Sequence, residues 1–180
     1  MVTVADRAER RREAEEQARQ IAAEVPDPEL PMVTVADLGV LRGIEVEQDG
    51  TVVARLTPTY AGCPAMAEMR AEVATRLRTA GFRDVRVVTV LDPPWTTEWI
   101  TAEGRRKLAE HGVAPPGVRR IPDSARGRVP LTLAPAPAVV PCPRCASADT
   151  EELSRFAATA CTALRRCRAC LEPFPNVKDI

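Results

Sequence analysis

The chain has 180 residues, in which 25 Lys and Arg are balanced by 25 Asp and Glu. It therefore carries no global field of the kind that draws a protein onto nucleic acid or an anionic membrane. That length holds one ordinary domain plus a small satellite, and cysteine placement marks the division: five of the six lie between Cys142 and Cys170, and Cys63 stands alone. The first residues are dominated by Arg, Glu and Ala without an apolar signal-peptide region, and no run of about 18 apolar residues could span a bilayer. The expectation is a cytoplasmic protein with no nucleic-acid or membrane partner. In a reducing compartment, paired Cys-x-x-Cys units are metal ligands more readily than disulfides.

From Asp6 to Val25 good helix formers carry a thin apolar line at Ala14, Ala18, Ile21, Ala22 and Val25, until Pro26 and Pro28 stop the helix. Val40–Glu47 and Thr51–Thr57 alternate as strands around a Gln48-Asp49-Gly50 turn, which predicts a hairpin. Pro64 occupies the first turn of a helix bearing Met66, Met69, Val73 and Leu77, and Gly81 ends it. Asp84–Leu91 is a third strand. A rigid Asp92-Pro93-Pro94-Trp95 segment follows, then a helical stretch to about Glu110 closed by His111 and Gly112. The single histidine reads as a cap, and Trp95 and Trp99 as core or interface anchors. Val113–Pro141, with seven prolines in 29 residues, reads as a semi-rigid linker, although Val129, Leu131 and Leu133 could pack on a neighbouring domain.

Cys142-Pro-Arg-Cys145 and Cys167-Arg-Ala-Cys170 are two Cys-x-x-Cys units with a spacing that suits a ribbon, each pair on its own turn. Four thiolates satisfy the tetrahedral preference of zinc, and a module this small depends on the metal for much of its folding free energy. A single structural zinc is expected, while the same ligands also suit iron. Ala146 and Leu171 stand after the second cysteines where glycine would make an easier turn. Cys161, between the pairs, reads as a buried small hydrophobe or as a spare thiol for transfer of a metal or cluster.

Cys63 lies where a loop meets a helix N-terminus, so the helix dipole and free N–H groups are expected to lower its pKa and favour thiolate. A reactive or ligating thiol and an inert buried one are both consistent with that position. No histidine is near in sequence to activate it, which disfavours a cysteine hydrolase. Asp27 and Glu29 lie in a Pro-Asp-Pro-Glu turn whose carboxylates suit backbone capping.

The runs Val25-Pro-Asp-Pro-Glu-Leu-Pro, Asp37-Leu-Gly-Val-Leu-Arg, Thr57-Pro-Thr-Tyr-Ala-Gly-Cys-Pro-Ala-Met, Pro94-Trp-Thr-Thr-Glu-Trp-Ile-Thr, Gly104-Arg-Arg-Lys-Leu and Val113-Ala-Pro-Pro resemble the PaaD (PaaJ) family. So does the tail, from Phe156 through Cys161-Thr-Ala-Leu to Glu172-Pro-Phe. Members of that family accompany the multicomponent oxygenase that epoxidises phenylacetyl-CoA in aerobic phenylacetate breakdown, and their N-terminal domain is similar to SufT and MIP-type iron-sulfur assembly factors. The tail departs from the usual pattern at Ala157-Ala158, at Thr162, around Pro175-Asn176-Val177, and at Asp179, where a cysteine is usual.

The order helix, strand, strand, helix, strand, helix describes an α/β fold, a small three-stranded mixed sheet with helices (residues 1–112), followed by a Pro-rich linker (113–141) and a C-terminal zinc ribbon (142–180), and the resemblance agrees. The resemblance implies an accessory factor without catalysis of its own, helping to mature an iron-sulfur or other metal centre in the oxygenase or its reductase. Cys63 is then the functional thiol, with Asp27, Glu29 and Thr59 as supporting candidates, Cys142, Cys145, Cys167 and Cys170 as metal ligands, and Cys161 as the spare thiol. The implied cofactors are structural zinc and a transient iron-sulfur cluster or iron. The implied partners are the epoxidase subunits or the iron-sulfur reductase, together with iron-sulfur assembly proteins; homo-oligomerisation stays open. An integral non-catalytic oxygenase subunit and an iron-based electron carrier are the competing readings.

Overall fold

A computed structural model of the chain describes residues 4–117 and 139–179. They fall into two units, one running to Lys107 and the other spanning Leu108–Asp179.

In the first unit α1 (Val4–Ala23) buries Ala18 and Ala22 along its apolar line. Val25, expected as helical, lies just past the end: it stays fully buried, and its carbonyl accepts a bond from the Val35 N–H (2.9 Å). β1 (Leu41–Val46) and β2 (Val52–Leu56) pair antiparallel across a turn in which Gly50 takes φ +91°. α2 (Met66–Thr79) is the crossover that a parallel neighbour requires, and β3 (Val85–Thr89) returns parallel to β2, giving a mixed sheet of order β1-β2-β3. α1 packs on β1, α2 packs on β3, and the two helices touch. Ile44, Val46, Val52, Ala54 and Leu56 alternate onto one face of the sheet and are buried, while α2 contributes Met69, Val73 and Leu77 to the core. Each such large side chain contributes about 1.5–3 kcal/mol by burial. The opposite face carries Glu45, Arg55 and Arg86, with a Glu45–Arg55 ion pair at 2.7 Å.

Three of the sequence runs interlock. The expected single helix after Trp95 is a 3-10 turn (Thr97–Trp99), an extended Ile100 and then α3 (Ala102–Glu110). The break arises because the Thr101 N–H donates to the Asp37 carbonyl (2.8 Å), while Thr101 Oγ1 accepts from the Gly104 N–H (2.9 Å) and starts α3. Buried Trp95 donates its indole N–H to the Leu38 carbonyl (2.8 Å), and the Arg42 guanidinium lies 3.4 Å over the Trp99 ring. Gly39 (φ +68°) and Gly104 permit this approach: a Cβ on Gly39 would lie 2.5 Å from Trp99 Cβ, and one on Gly104 would lie 2.6 Å from the Asp37 carbonyl oxygen. Lys107 closes the lock by donating to Asp37 Oδ2 at 2.7 Å.

In the second unit β4 (Thr150–Ser154), β5 (Thr162–Cys167) and β6 (Pro173–Val177) form an antiparallel sheet of order β4-β5-β6. Ala114 bridges Asn176 in parallel through Ala114 N–H to Pro175 carbonyl (2.8 Å) and Val177 N–H to Ala114 carbonyl (3.0 Å). Ala114, Val140, Cys142, Cys167 and Phe174 share one small core. The two ends of the Pro-rich stretch thus belong to this unit, Ala114 through its bridge and Val140 through a carbonyl that accepts from Thr150 Oγ1 (2.8 Å). Val129, Leu131 and Leu133 lie outside the described residues. Among the described residues, no helix is long and apolar enough to cross a membrane.

Candidate functional site

The two Cys-x-x-Cys units fold into matching turns. Cys142 N–H donates to the Ser147 carbonyl (2.9 Å) and Cys167 N–H to the Glu172 carbonyl (3.0 Å), five residues on in each case. Such a turn needs a left-handed residue at its fourth step. Ala146 (φ +59°) and Leu171 (φ +64°) supply it, and they are the non-glycine positive-φ residues among those described. The turns aim backbone N–H groups at sulfur: Ser147 toward Cys145, Ala169 and Cys170 toward Cys167, and Glu172 toward Cys170.

As a result the Sγ atoms of Cys142, Cys145, Cys167 and Cys170 all lie within 4.8 Å of one another, with 3.8 Å between Cys142 and Cys170 and 3.5 Å between Cys145 and Cys167. A tetrahedron of Zn–S bonds of about 2.3 Å has edges of about 3.8 Å. The residues fit a single tetrahedral ion. Their electrostatics ask for one as well, because thiols this close compete for protons. N–H groups of Cys170 and Ala169 pull the Cys167 thiol down to about 6. The Ser147 N–H pulls Cys145 the same way, but Cys167 and Cys170 outweigh it and push that thiol up to about 12. A bound cation removes the conflict by stabilising all four thiolates. Cys142 and Cys167 are buried, whereas Cys145 and Cys170 face solvent. The set is a metal-binding centre of soft sulfur donors.

Cys161 lies just before β5, not within the strand presumed for it, and Cys167 ends that strand. Six residues of extended chain place it about 20 Å from the ligand end. Its buried Sγ lies 3.1 Å from Thr159 Oγ1, which is the environment of a small packed side chain.

Cys63 is half-buried in a turn between β2 and α2, its N–H bonded to the Tyr60 carbonyl (3.1 Å) and its own carbonyl accepting from Met66 (3.3 Å). The expected lowering of its pKa is not what the structure shows. N–H groups of Ala65 and Met66 do face the sulfur and favour thiolate, but burial opposes them, and the charges of Glu29 and Asp27 add to the burial. The thiol is pushed up. The helix end is visible in the sequence, whereas the carboxylates come alongside only in the folded loop. Buried Asp27 accepts from the Glu29 and Leu30 N–H groups (2.8 Å each), yet burial holds its carboxyl above the ordinary range and Glu68 adds to that. Asp27, Glu29 and Cys63 therefore form one electrostatic neighbourhood, with half-buried Thr59 in the same β2–α2 loop.

Comparison with known proteins falls along the same division. The family model for the PaaD zinc beta ribbon domain matches residues 127–178, and the model described as iron-sulfur cluster assembly protein matches residues 15–90. A protein of Escherichia coli (strain K12), provisionally named as one of the subunits of 1,2-phenylacetyl-CoA epoxidase, is 41% identical over 160 residues, covering 89% of this chain and 90% of its own. The chain belongs to the PaaD family. An Fe-S protein maturation auxiliary factor of Porphyromonas gingivalis (strain ATCC BAA-308 / W83) is 29% identical over 97 residues, covering 53% of this PaaD chain and 91% of its own. The crystal structure of a domain of unknown function, DUF59, from Bacillus anthracis overlays with a TM-score of 0.53 at 25% identity, covering 56% of this chain and 96% of that one. The PaaD fold is thus a mixed α/β domain with a three-stranded sheet, followed by a zinc ribbon carrying the cysteine cluster.

Proposed function

We propose that this chain is an accessory factor of the multicomponent phenylacetyl-CoA epoxidase, acting in the maturation of an iron-sulfur or other metal centre of the oxygenase or its reductase. What carries the reading is the combination within one chain. An iron-sulfur-assembly-type domain presents Cys63, the four-cysteine cluster belongs to the other unit, and a relative spanning both parts bears the name of an epoxidase subunit. The α/β relative named as an Fe-S protein maturation auxiliary factor supports the direction of the activity. Cys63 is the thiol that meets iron or a cluster as cargo, with Asp27 and Glu29 shaping its charge and Thr59 in the same loop as the thiol. Cys142, Cys145, Cys167 and Cys170 hold a structural zinc. The partners are the epoxidase subunits or the iron-sulfur reductase and the assembly machinery that loads them, in the cytoplasm, where free thiols persist.

The test is to produce the epoxidase components alongside native chain or Cys63→Ser and measure client iron. Depleted iron with a normally folded variant is the expected result, and full iron content would exclude the role of Cys63. A second reading, an integral non-catalytic subunit, is favoured by the name of the E. coli relative. It requires stoichiometric copurification and loss of turnover when the chain is stripped from assembled enzyme. Elemental analysis decides the ribbon metal: one zinc per chain without iron excludes an electron carrier.

A further inference from the structure

The mixed sheet ends in an edge that α2 guards. Val52 N–H donates to the Asp84 carbonyl and Val90 N–H to the Leu56 carbonyl (2.8 Å each), so in the β2–β3 pairing the even-numbered residues of β3 turn their backbone groups inward. The odd-numbered residues Val85, Val87 and Thr89 turn theirs outward. Among the described residues no strand pairs with that outward edge. Two of its carbonyls are instead taken by exposed arginines of α2: Arg78 Nη2 donates to Val85 (3.4 Å) and Arg70 Nη2 to Val87 (3.1 Å). Among the described residues the outward N–H groups receive no such cover. Exposed Leu91, at 61%, stands just beyond the strand, and Val88 is half-buried on the sheet face away from the helices.

An unpaired edge is a template for an incoming strand, and side chains laid over it normally keep it closed. The cover here is purely cationic and lies at the end of long flexible side chains. Exposed Arg83 adds a further cation two residues before the strand, whereas Arg86 is paired with Glu47, and Asp84 and Asp92 are the acidic residues at the strand ends. A carboxylate arriving on an extended segment makes a charge-assisted bond to Arg70 or Arg78 that is stronger than the neutral carbonyl bond it replaces. Each exchange uncovers a carbonyl for the next ladder bond.

We infer that the outer edge of β3 is a docking site for an extended, acidic segment of a partner protein, with Arg70 and Arg78 as the charge-reading guards. The inference goes beyond the maturation role, and its test does not depend on iron transfer, so either can fail without the other.

The probe is a short synthetic peptide alternating Glu and Val, titrated against the full-length metal-loaded chain by fluorescence anisotropy, with a Lys–Val peptide as control. The acidic peptide should bind, more weakly as salt rises, and the basic one should not. Replacing both guards (Arg70→Glu with Arg78→Glu) should weaken the acidic peptide by at least about tenfold and admit the basic one. Unchanged far-UV circular dichroism is the control for folding. Equal binding of both peptides by the native chain, or equal acidic-peptide binding by native and doubly reversed chains, overturns the proposal. So does native chain that binds neither peptide while Arg70→Ala with Arg78→Ala self-associates in sedimentation, because the arginines would then be only a shield against a second copy.

Discussion

Cys63 meets the favourable N–H groups of Ala65 and Met66, and still its thiol is pushed up by burial and by Glu29 and Asp27. At the residue scale, then, burial outweighs position along a helix, and the two carboxylates add to it. Thiolate, the form that attacks or ligates a metal, is therefore scarce at neutral pH unless a cation stabilises it. Removing the two charges with Asp27→Asn and Glu29→Gln should speed alkylation of Cys63 near neutral pH by about twofold to tenfold. The pH–rate profile should move to lower pH, and an unmoved profile would separate the carboxylates from the thiol. Asp37 is the opposite case. Burial pushes its carboxyl up, but Lys107 and the Thr34 N–H outweigh it and leave the carboxyl below its ordinary 3.8. A depressed carboxylate contributes stability above the unfolded value and loses it as pH falls through the folded one. Asp37→Asn should cost about 1–3 kcal/mol at neutral pH. The gap between native and variant urea midpoints should narrow as the pH drops below about 4.

At the scale of elements, local turns were readable and long-range locks were not. The hairpin around Gly50, the α2 face and the third strand all follow from spacing, because side-chain period and turn chemistry are local. The matching cysteine turns follow too, since a Cys-x-x-Cys turn of this kind needs a left-handed residue just after its second cysteine, and Ala146 and Leu171 fill the place where the sequence lacks glycine. Ala146→Gly and Leu171→Gly should each raise the thermal midpoint of the metal-loaded ribbon, through about 0.5–1 kcal/mol of relieved backbone strain. A lowered midpoint would mean that the turns open in solution. The lock of Asp37, Gly39, Trp95, Trp99 and Gly104 spans residues far apart in the chain, so periodicity carries no trace of it. Gly39→Ala and Gly104→Ala should each cost roughly 1–3 kcal/mol in urea unfolding, because the new Cβ would fall within 2.6 Å of Trp99 or of the Asp37 carbonyl.

At the scale of the whole molecule the two units rest on different physics. The α/β unit is held by a buried apolar core between sheet and helices. The ribbon core is five residues, two of them cysteines of the cluster, so a bound ion would carry much of its stability, on the order of 10 kcal/mol in comparable peptides. A strong chelator, or Cys142→Ser, should abolish the β-sheet signals of residues 150–177 while those of β1, β2 and β3 persist. Retained ribbon signals after metal removal would overturn that. Cysteine spacing and side-chain period, which are properties of short stretches, were enough to read the mixed α/β class, the ribbon and the four cysteines that cluster in it. Tertiary contact was needed to bring Asp27 and Glu29 beside Cys63, to hold Cys161 far from the four ligands, to join Ala114 to the ribbon sheet and to leave β3 with a guarded edge. Each of those depends on which distant segments meet, and a meeting of distant segments leaves no local pattern to read.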